Sequence, residues 1–175
     1  MKITHLRTET LENPLGLDAL PLRLSWQMQS DRQGAKQTAY QVVARISNSR
    51  HWDSGKITSS QSTYLPYGGE LHSRDRVEWT VRVWDETGAV TESAPAYFEM
   101  GLLEKTEWQA KWIANPLVGG ARTSSPCPFF RREFCIDREI KSARLYITAL
   151  GVFEATLNGQ RVGLDVFAPG WTDYY

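Results

Sequence analysis

The chain has 175 residues, and its 20 lysine and arginine side chains are balanced by 20 aspartate and glutamate side chains. A formal net charge of zero gives no electrostatic basis for binding nucleic acid or an anionic membrane surface, so both kinds of partner are disfavoured. The length is enough for one or two domains with cores of their own, and no apolar run approaches the length of a membrane span.

The first 100 residues contain short segments in which apolar and polar side chains alternate. The alternation is strictest over residues 22–28 and 77–85, which is typical of strands that are buried on one face. Further short strands are predicted over residues 38–47, 62–65 and 96–100. Regularly spaced short strands separated by turn residues predict an all-β antiparallel sandwich.

The order of these strands resembles a fibronectin type III domain, which we assign to residues 1–102. Residues 103–128 are predicted to form a linker. Thr106 is a candidate cap for a single helical turn, with Gln109 at the third position of that turn. The end of this linker is rich in glycine, serine and proline, which is typical of a loop.

A second β unit is predicted to begin at Phe129. Strands are expected over residues 129–137 and 143–150, and two more are expected on either side of Asn158-Gly159. An Asn-Gly pair between alternating segments is a strong hairpin signal, because both residues tolerate the positive φ of a type I′ turn. We interpret residues 129–175 as the truncated start of a jelly-roll-like β-sandwich.

Two cysteines, Cys127 and Cys135, lie on one short segment where a strand would hold them apart. They match neither a disulfide framework nor a zinc motif, so we interpret them as free thiols. The first ten residues contain no apolar stretch typical of a signal peptide. Together these features favour a reducing, cytoplasmic location.

No catalytic residue is predicted, because the isolated histidines and scattered carboxylates form no catalytic or metal-binding motif. Four residues on or near loops of the second unit are candidates for contacting a sugar, namely Asn158, Asp165, Trp171 and Asp173. Calcium is possible in the second unit because it prefers oxygen ligands. The alternative for each residue is structural, since Asn158 is explained by the turn and Trp171 by packing.

An ordered series of phrases along the chain is similar to the N-terminal part of bacterial α-L-rhamnosidases. The phrases are Asn13-Pro14-Leu15-Gly16-Leu17, Pro21-Leu22-Arg23-Leu24-Ser25-Trp26, Trp52-Asp53-Ser54-Gly55-Lys56, Trp79-Thr80-Val81-Arg82-Val83-Trp84-Asp85, Phe98-Glu99-Met100-Gly101-Leu102-Leu103, Leu157-Asn158-Gly159 and Ala168-Pro169-Gly170-Trp171-Thr172-Asp173-Tyr174. Each phrase is weak alone, but the ordered series is specific.

The resemblance implies an enzyme that releases terminal α-L-rhamnose with inversion, through carboxylates on a later (α/α)₆ barrel. We therefore expect this chain to be a non-catalytic N-terminal fragment, inactive alone, with a scaffolding or substrate-recognition role. Its partner would be a rhamnose-containing glycan or glycoside, bound through the full-length enzyme. The alternative is a stand-alone carbohydrate-binding or protein-interaction module. An incomplete sandwich also predicts homodimers through exposed β edges of 129–175.

Overall fold

The computed structural model describes residues 1–46, 50–116, 122 and 126–170. The chain divides into two compact units, residues 1–112 and 113–175. The described part of the first unit contains the strands β1 (Lys2–Thr8), β2 (Arg23–Gln29), β3 (Gln37–Ile46), β4 (Arg50–Asp53), β5 (Leu65–Pro66), β6 (Arg76–Asp85), β7 (Val90–Glu92) and β8 (Ala96–Glu99).

These strands form two antiparallel sheets. One sheet has the order β1-β2-β5, and the other has the order β4-β3-β6 with β7 and β8 sharing the outer edge of β6. The longest pairing joins β3 to β6, from Gln37 opposite Asp85 to Ile46 opposite Val77. The predicted all-β antiparallel sandwich is confirmed, and its division into two sheets is that of the immunoglobulin-like class, to which fibronectin type III domains belong.

The core lies between the inner faces of the two sheets. The long strands supply alternate residues to it, because successive side chains of a strand point to opposite faces. Trp26 from one sheet and Trp79 from the other are each only 1% exposed. The remaining core side chains that are at most 2% exposed include Leu22, Leu24, Val42, Ala44, Val77, Val81, Val83, Phe98 and Met100.

Gln37 is a buried polar residue at the start of β3, and its side chain is fully used. The indole N–H of Trp26 donates to Gln37 Oε1 at 3.1 Å. The Gln37 amide nitrogen donates to the backbone carbonyls of Ser59 and Gln61 at 3.0 and 2.7 Å. Because a buried amide without partners is costly, this network fixes the 59–61 segment against the edge of the core.

The described part of the second unit contains a small hairpin, β9 (Thr156–Leu157) and β10 (Gln160–Arg161), joined by Asn158-Gly159. Both turn residues have positive φ, 51° and 79°, as a type I′ turn requires. The hairpin is extended by a backbone hydrogen bond from Val162 N to Ala155 O, and farther out by one from Phe153 N to Ala168 O.

The strands predicted over residues 129–137 and 143–150 are wrong, since the structure contains no strand in either segment. Phe129 is fully exposed and Leu145 is 60% exposed, so the alternating side chains face no core. Alternation marks a segment suited to a sheet, but a strand forms only against a hydrogen-bonded neighbour, which neither segment has. Across the described residues, no helix is long and apolar enough to cross a membrane.

Candidate functional site

Polar contacts converge at the end of the first unit from which the chain leaves. One part of this end is the loop between Glu70 and Arg76, in which Asp75 forms several hydrogen bonds. The Asp75 carboxylate accepts the backbone N–H of His72 at 2.8 Å and an N–H of the Arg50 guanidinium. The Asp75 carbonyl accepts the Met100 N–H at 2.8 Å. Asp75 is 5% exposed, so these partners satisfy a buried acid and attach the loop to the strand end.

A group that we call the exit cluster, comprising Ser73, Arg74, Leu103, Glu104 and Glu107, holds the departing chain. The Ser73 hydroxyl accepts the Leu103 N–H at 2.9 Å and donates to the Glu107 carboxylate. The same carboxylate accepts the Glu104 N–H at 3.1 Å and lies 3.3 Å from the Arg74 guanidinium. The Ser73 hydrogen bond is the main reason that the pKa of Glu107 is lowered from its usual 4.5.

The helical turn expected near Thr106 is present but is capped differently. It is a single 3₁₀ turn, Lys105–Glu107, with Glu104 as its N-cap and Glu107 closing a capping box. Thr106 therefore lies inside the turn, and Gln109 follows it. The sequence pattern located the turn correctly, but its N-cap is Glu104, and Glu107 is also held by Ser73, which lies 34 positions before it.

Residues 13–17 run along the free edge of β8 and form what we call the edge segment. The Asn13 side-chain oxygen accepts the Tyr97 N–H at 2.9 Å, and the Pro14 carbonyl accepts the Glu99 N–H at 3.0 Å. Leu17 then donates to the Glu99 carbonyl at 3.0 Å. This pairing satisfies an edge that would otherwise be open to another strand.

Gly101 is where the edge segment and the exit meet. Its N–H donates to the Leu17 carbonyl at 2.7 Å. A Cβ at position 101 would lie only 3.0 Å from the Gly16 carbonyl oxygen and 3.2 Å from its carbon. Both obstacles are backbone atoms, so a side chain at position 101 would have to displace the Gly16 backbone by a few tenths of an ångström.

The four sugar-contact candidates are distributed as follows. Asn158 is exposed and occupies the first position of the hairpin turn. Asp165 is exposed, and its backbone carbonyl accepts an N–H of the Arg161 guanidinium. Trp171 and Asp173 lie outside the described residues. The structure thus places two of the candidates on the exposed hairpin region, and their role in sugar binding stays a prediction.

Two of the four candidates could offer oxygen ligands to calcium. Asn158 and Asp165 carry suitable amide and carboxylate oxygens. Within the described ranges, no group of three or more His, Cys, Asp or Glu side chains comes together in a way that would hold a metal ion. Asn158 and Asp165 therefore do not form a calcium site by themselves.

The exit cluster and the edge segment were not identified as a site from the sequence. Ser73 and Glu107 have no local motif that links them, since their contact spans 34 positions. The available signal was the phrase Asn13-Pro14-Leu15-Gly16-Leu17 together with Met100-Gly101-Leu102, which the structure shows to be two sides of one crossing. The contacts of the exit cluster and of the edge segment fix backbone segments in place, and they do not position a group for a reaction.

Two family models match the chain in succession. Residues 3–104 match the model described as "Rha78A-like, N-terminal immunoglobulin domain", and residues 138–175 match "Alpha-L-rhamnosidase N-terminal domain". Among curated proteins, an α-L-rhamnosidase of Alteromonas sp. (strain LOR) is 37% identical over 189 residues, and one of Streptomyces avermitilis is 36% identical over 200 residues. These matches cover 99% and 98% of this chain but only 20% and 19% of the relatives.

Solved structures give the same correspondence. The Streptomyces avermitilis α-L-rhamnosidase complexed with L-rhamnose matches 66% of this chain and 12% of its own, with a TM-score of 0.60 and 44% identity. The Aspergillus terreus α-L-rhamnosidase matches 97% of this chain and 20% of its own, with a TM-score of 0.75 and 29% identity. The chain therefore spans about one fifth of the length of the curated relatives that it matches.

Replacing Gly101 with alanine is predicted to destabilise the first unit. The new methyl group would meet the Gly16 backbone, so the edge segment would shift and its bonds to β8 would weaken. We expect a loss of about 1–3 kcal/mol, the usual cost of a forced steric shift, measured by urea unfolding with tryptophan fluorescence. The control is Leu15→Ala in the same segment, since Leu15 is 58% exposed and should matter little. Unchanged stability of Gly101→Ala would refute the crossing as a constraint.

Glu107→Gln is predicted to loosen the exit in a pH-dependent manner. The folded pKa of Glu107 is lowered, so its contribution is present above the unfolded value of 4.5 and is lost as pH falls through the lower folded pKa. At neutral pH the variant should exchange the Leu103 and Glu104 amide hydrogens faster than the unmodified chain. The difference should shrink in acid.

Hydrogen exchange at matched pH measures this effect. The control is Glu92→Gln, because Glu92 forms an exposed ion pair with Arg82 away from the exit cluster. Equal protection of Leu103 and Glu104 in all three proteins at neutral pH would show that the Glu107 carboxylate does not hold the exit.

Proposed function

Since this chain belongs to the family of Rha78A-like N-terminal immunoglobulin domains, we propose that it acts as the non-catalytic N-terminal region of an α-L-rhamnosidase and that its first unit is a scaffold. The observation that carries the proposal is the succession of two matches, an immunoglobulin domain over 3–104 and a rhamnosidase N-terminal domain over 138–175. The relatives share this region across nearly the whole chain.

The contacts at the exit support a scaffold role for the first unit. A scaffold must fix the direction of the chain that leaves it. The exit cluster fixes residues 103–107 by hydrogen bonds that converge on Ser73 and Glu107, and Gly101 is held against the edge segment. The polar groups of this surface form hydrogen bonds within the protein itself. That favours a role in positioning the departing chain over a role in binding a ligand.

We propose that the second unit takes part in substrate recognition within the full-length α-L-rhamnosidase. The reaction would be the inverting hydrolysis of a terminal α-L-rhamnosyl group from a glycan or glycoside. Asn158, Asp165, Trp171 and Asp173 are the proposed contacts to that sugar. The cytoplasmic location predicted from the free thiols remains part of the proposal, supported by Cys127 and Cys135 being free and exposed.

A chimera tests the scaffold role. Residues 1–175 replace the corresponding region of the Streptomyces avermitilis α-L-rhamnosidase, and the chimera is compared with a second one that also carries Gly101→Ala. We expect both chimeras to hydrolyse p-nitrophenyl α-L-rhamnoside with the same KM, while Gly101→Ala lowers Tm and the yield of active enzyme. The 175-residue chain alone should release no p-nitrophenol.

The kinetic constants separate the possible outcomes. A rise in KM caused by Gly101→Ala at unchanged kcat and Tm would show that the first unit contributes to substrate binding, against the scaffold. The matched control is Leu15→Ala in the chimera, which should leave KM, kcat and Tm unchanged. Release of p-nitrophenol by the isolated chain would contradict the non-catalytic assignment.

We also propose that the isolated chain forms homodimers through residues 129–175. The support is apolar exposure, since Phe129 is 100% and Leu164 is 95% exposed, and exposed apolar surface of this kind favours association. Light scattering should give a mass that rises with concentration toward a dimer. Leu164→Lys should lower that mass, whereas Leu15→Lys in the first unit should not. A monomer at every concentration would contradict the proposal.

A further inference from the structure

The turn at Asn158-Gly159 has a chemical property that goes beyond shaping the hairpin. We propose that Asn158 is a site of spontaneous deamidation, through attack of the Gly159 backbone nitrogen on the Asn158 side chain. This covalent modification of the chain is independent of the proposed function. It rests on the residue pair, its exposure and the weakness of the hairpin that contains it.

The reaction requires the backbone nitrogen of the following residue to reach the asparagine side-chain carbon. Once the Gly159 N–H gives its proton to solvent, the nitrogen forms a bond to Cγ of Asn158. The bond from Cγ to the side-chain nitrogen breaks, and that nitrogen leaves as ammonia. Water then opens the five-membered succinimide at either of its carbonyls, which gives aspartate or isoaspartate.

The sequence contains its own controls for this reaction. The chain has four asparagines, of which Asn13 and Asn115 each precede a proline and Asn48 precedes a serine. A proline nitrogen carries no hydrogen, so it cannot form the attacking nucleophile at Asn13 or Asn115. Asn158 alone precedes glycine, whose missing side chain leaves the attacking nitrogen unhindered.

The surroundings of the pair leave room for the reaction. Asn158 and Gly159 are both exposed, so water can take and return protons. A Cβ built on Gly159 would have no heavy atom within 4 Å, which shows that the space beside the attacking atom is open. The closed turn holds both residues at positive φ, which restricts the rotation that brings the nitrogen to Cγ.

That rotation requires the hairpin to open locally, and little holds it closed. The pairing of β9 with β10 comprises two residue pairs, Leu157 opposite Gln160 and Thr156 opposite Arg161, and two further backbone hydrogen bonds extend it. A two-stranded hairpin of this size is marginally stable in water, so local opening costs little free energy. The turn therefore delays the reaction without preventing it.

The product differs from the starting chain in both charge and backbone. Deamidation replaces a neutral amide with a carboxylate, so the formal net charge falls below its starting value of zero. Isoaspartate also inserts the side-chain methylene into the main chain between two residues that must fit a two-residue turn. The modified hairpin should lose the Leu157–Gln160 pairing, because turn length sets the register of a hairpin.

The experiment incubates the full chain in mildly alkaline buffer and follows it by peptide mapping with mass spectrometry and isoaspartate-specific enzymatic labelling. We expect isoaspartate and aspartate to accumulate at position 158, with no change at Asn13 or Asn115. A free peptide with the sequence of residues 152–164 provides the rate without tertiary structure. The full chain should react more slowly than this peptide, at the peptide's rate multiplied by the fraction of time that the hairpin is open.

Two variants identify the attacking atom and the target. Asn158→Gln retains an exposed amide but lengthens the side chain, so isoaspartate labelling at this site should be lost. Gly159→Ala hinders the attacking nitrogen and should slow conversion in both the chain and the peptide, so that a change in hairpin stability is separated from a change in chemistry. The proposal is overturned if position 158 of the full chain stays unmodified while the free peptide converts completely, or if Asn48 reacts before Asn158.

Discussion

The pairing of β6 (Arg76–Asp85) with β3 (Gln37–Ile46) is the interaction on which the first unit depends. It runs antiparallel from Ile46 opposite Val77 to Gln37 opposite Asp85, and it places the inward valines and Trp79 of β6 at the centre of the core. The other edge of β6 carries β8 along its first half and β7 along its second. One strand thus organises the larger sheet, because its inner face is almost fully buried and its backbone is paired on both sides.

The edges of that sheet explain features that otherwise look like loop details. Residues 13–17 cover β8 with backbone hydrogen bonds, so this edge is closed without adding a regular strand. Asp85, at the end of β6, accepts hydrogen bonds from Thr87 and Ala89 and pairs with Arg32, which closes the β6–β7 turn. The Thr87 hydroxyl is the main reason that the pKa of Asp85 is lowered. The polar groups in this turn form hydrogen bonds with the protein's own backbone.

The two units differ in whether segments with alternating apolar and polar residues form strands. In the first, residues 22–28 and 77–85 alternate and form β2 and β6 almost where expected. In the second, residues 129–137 and 143–150 alternate too, yet they form no strand among the described residues. The difference is strand pairing. An alternating segment is stabilised as a strand only when a neighbouring strand accepts its hydrogen bonds and a facing layer buries its apolar side chains. The proposed sugar contacts also lie in the second unit, and two of them, Trp171 and Asp173, lie outside the described residues.

The sequence alone determined the class of the fold, the inward faces of β2 and β6, and the Asn158-Gly159 turn. It did so because alternation and turn chemistry are local properties that are written in neighbouring residues. Only the tertiary structure showed that Gly101 lies against Gly16, that Ser73 binds Glu107 of the 3₁₀ turn, and that Asp75 ties its loop to Arg50. Those contacts join residues far apart in the chain, and no local pattern specifies which of many possible partners will meet once the sandwich has formed.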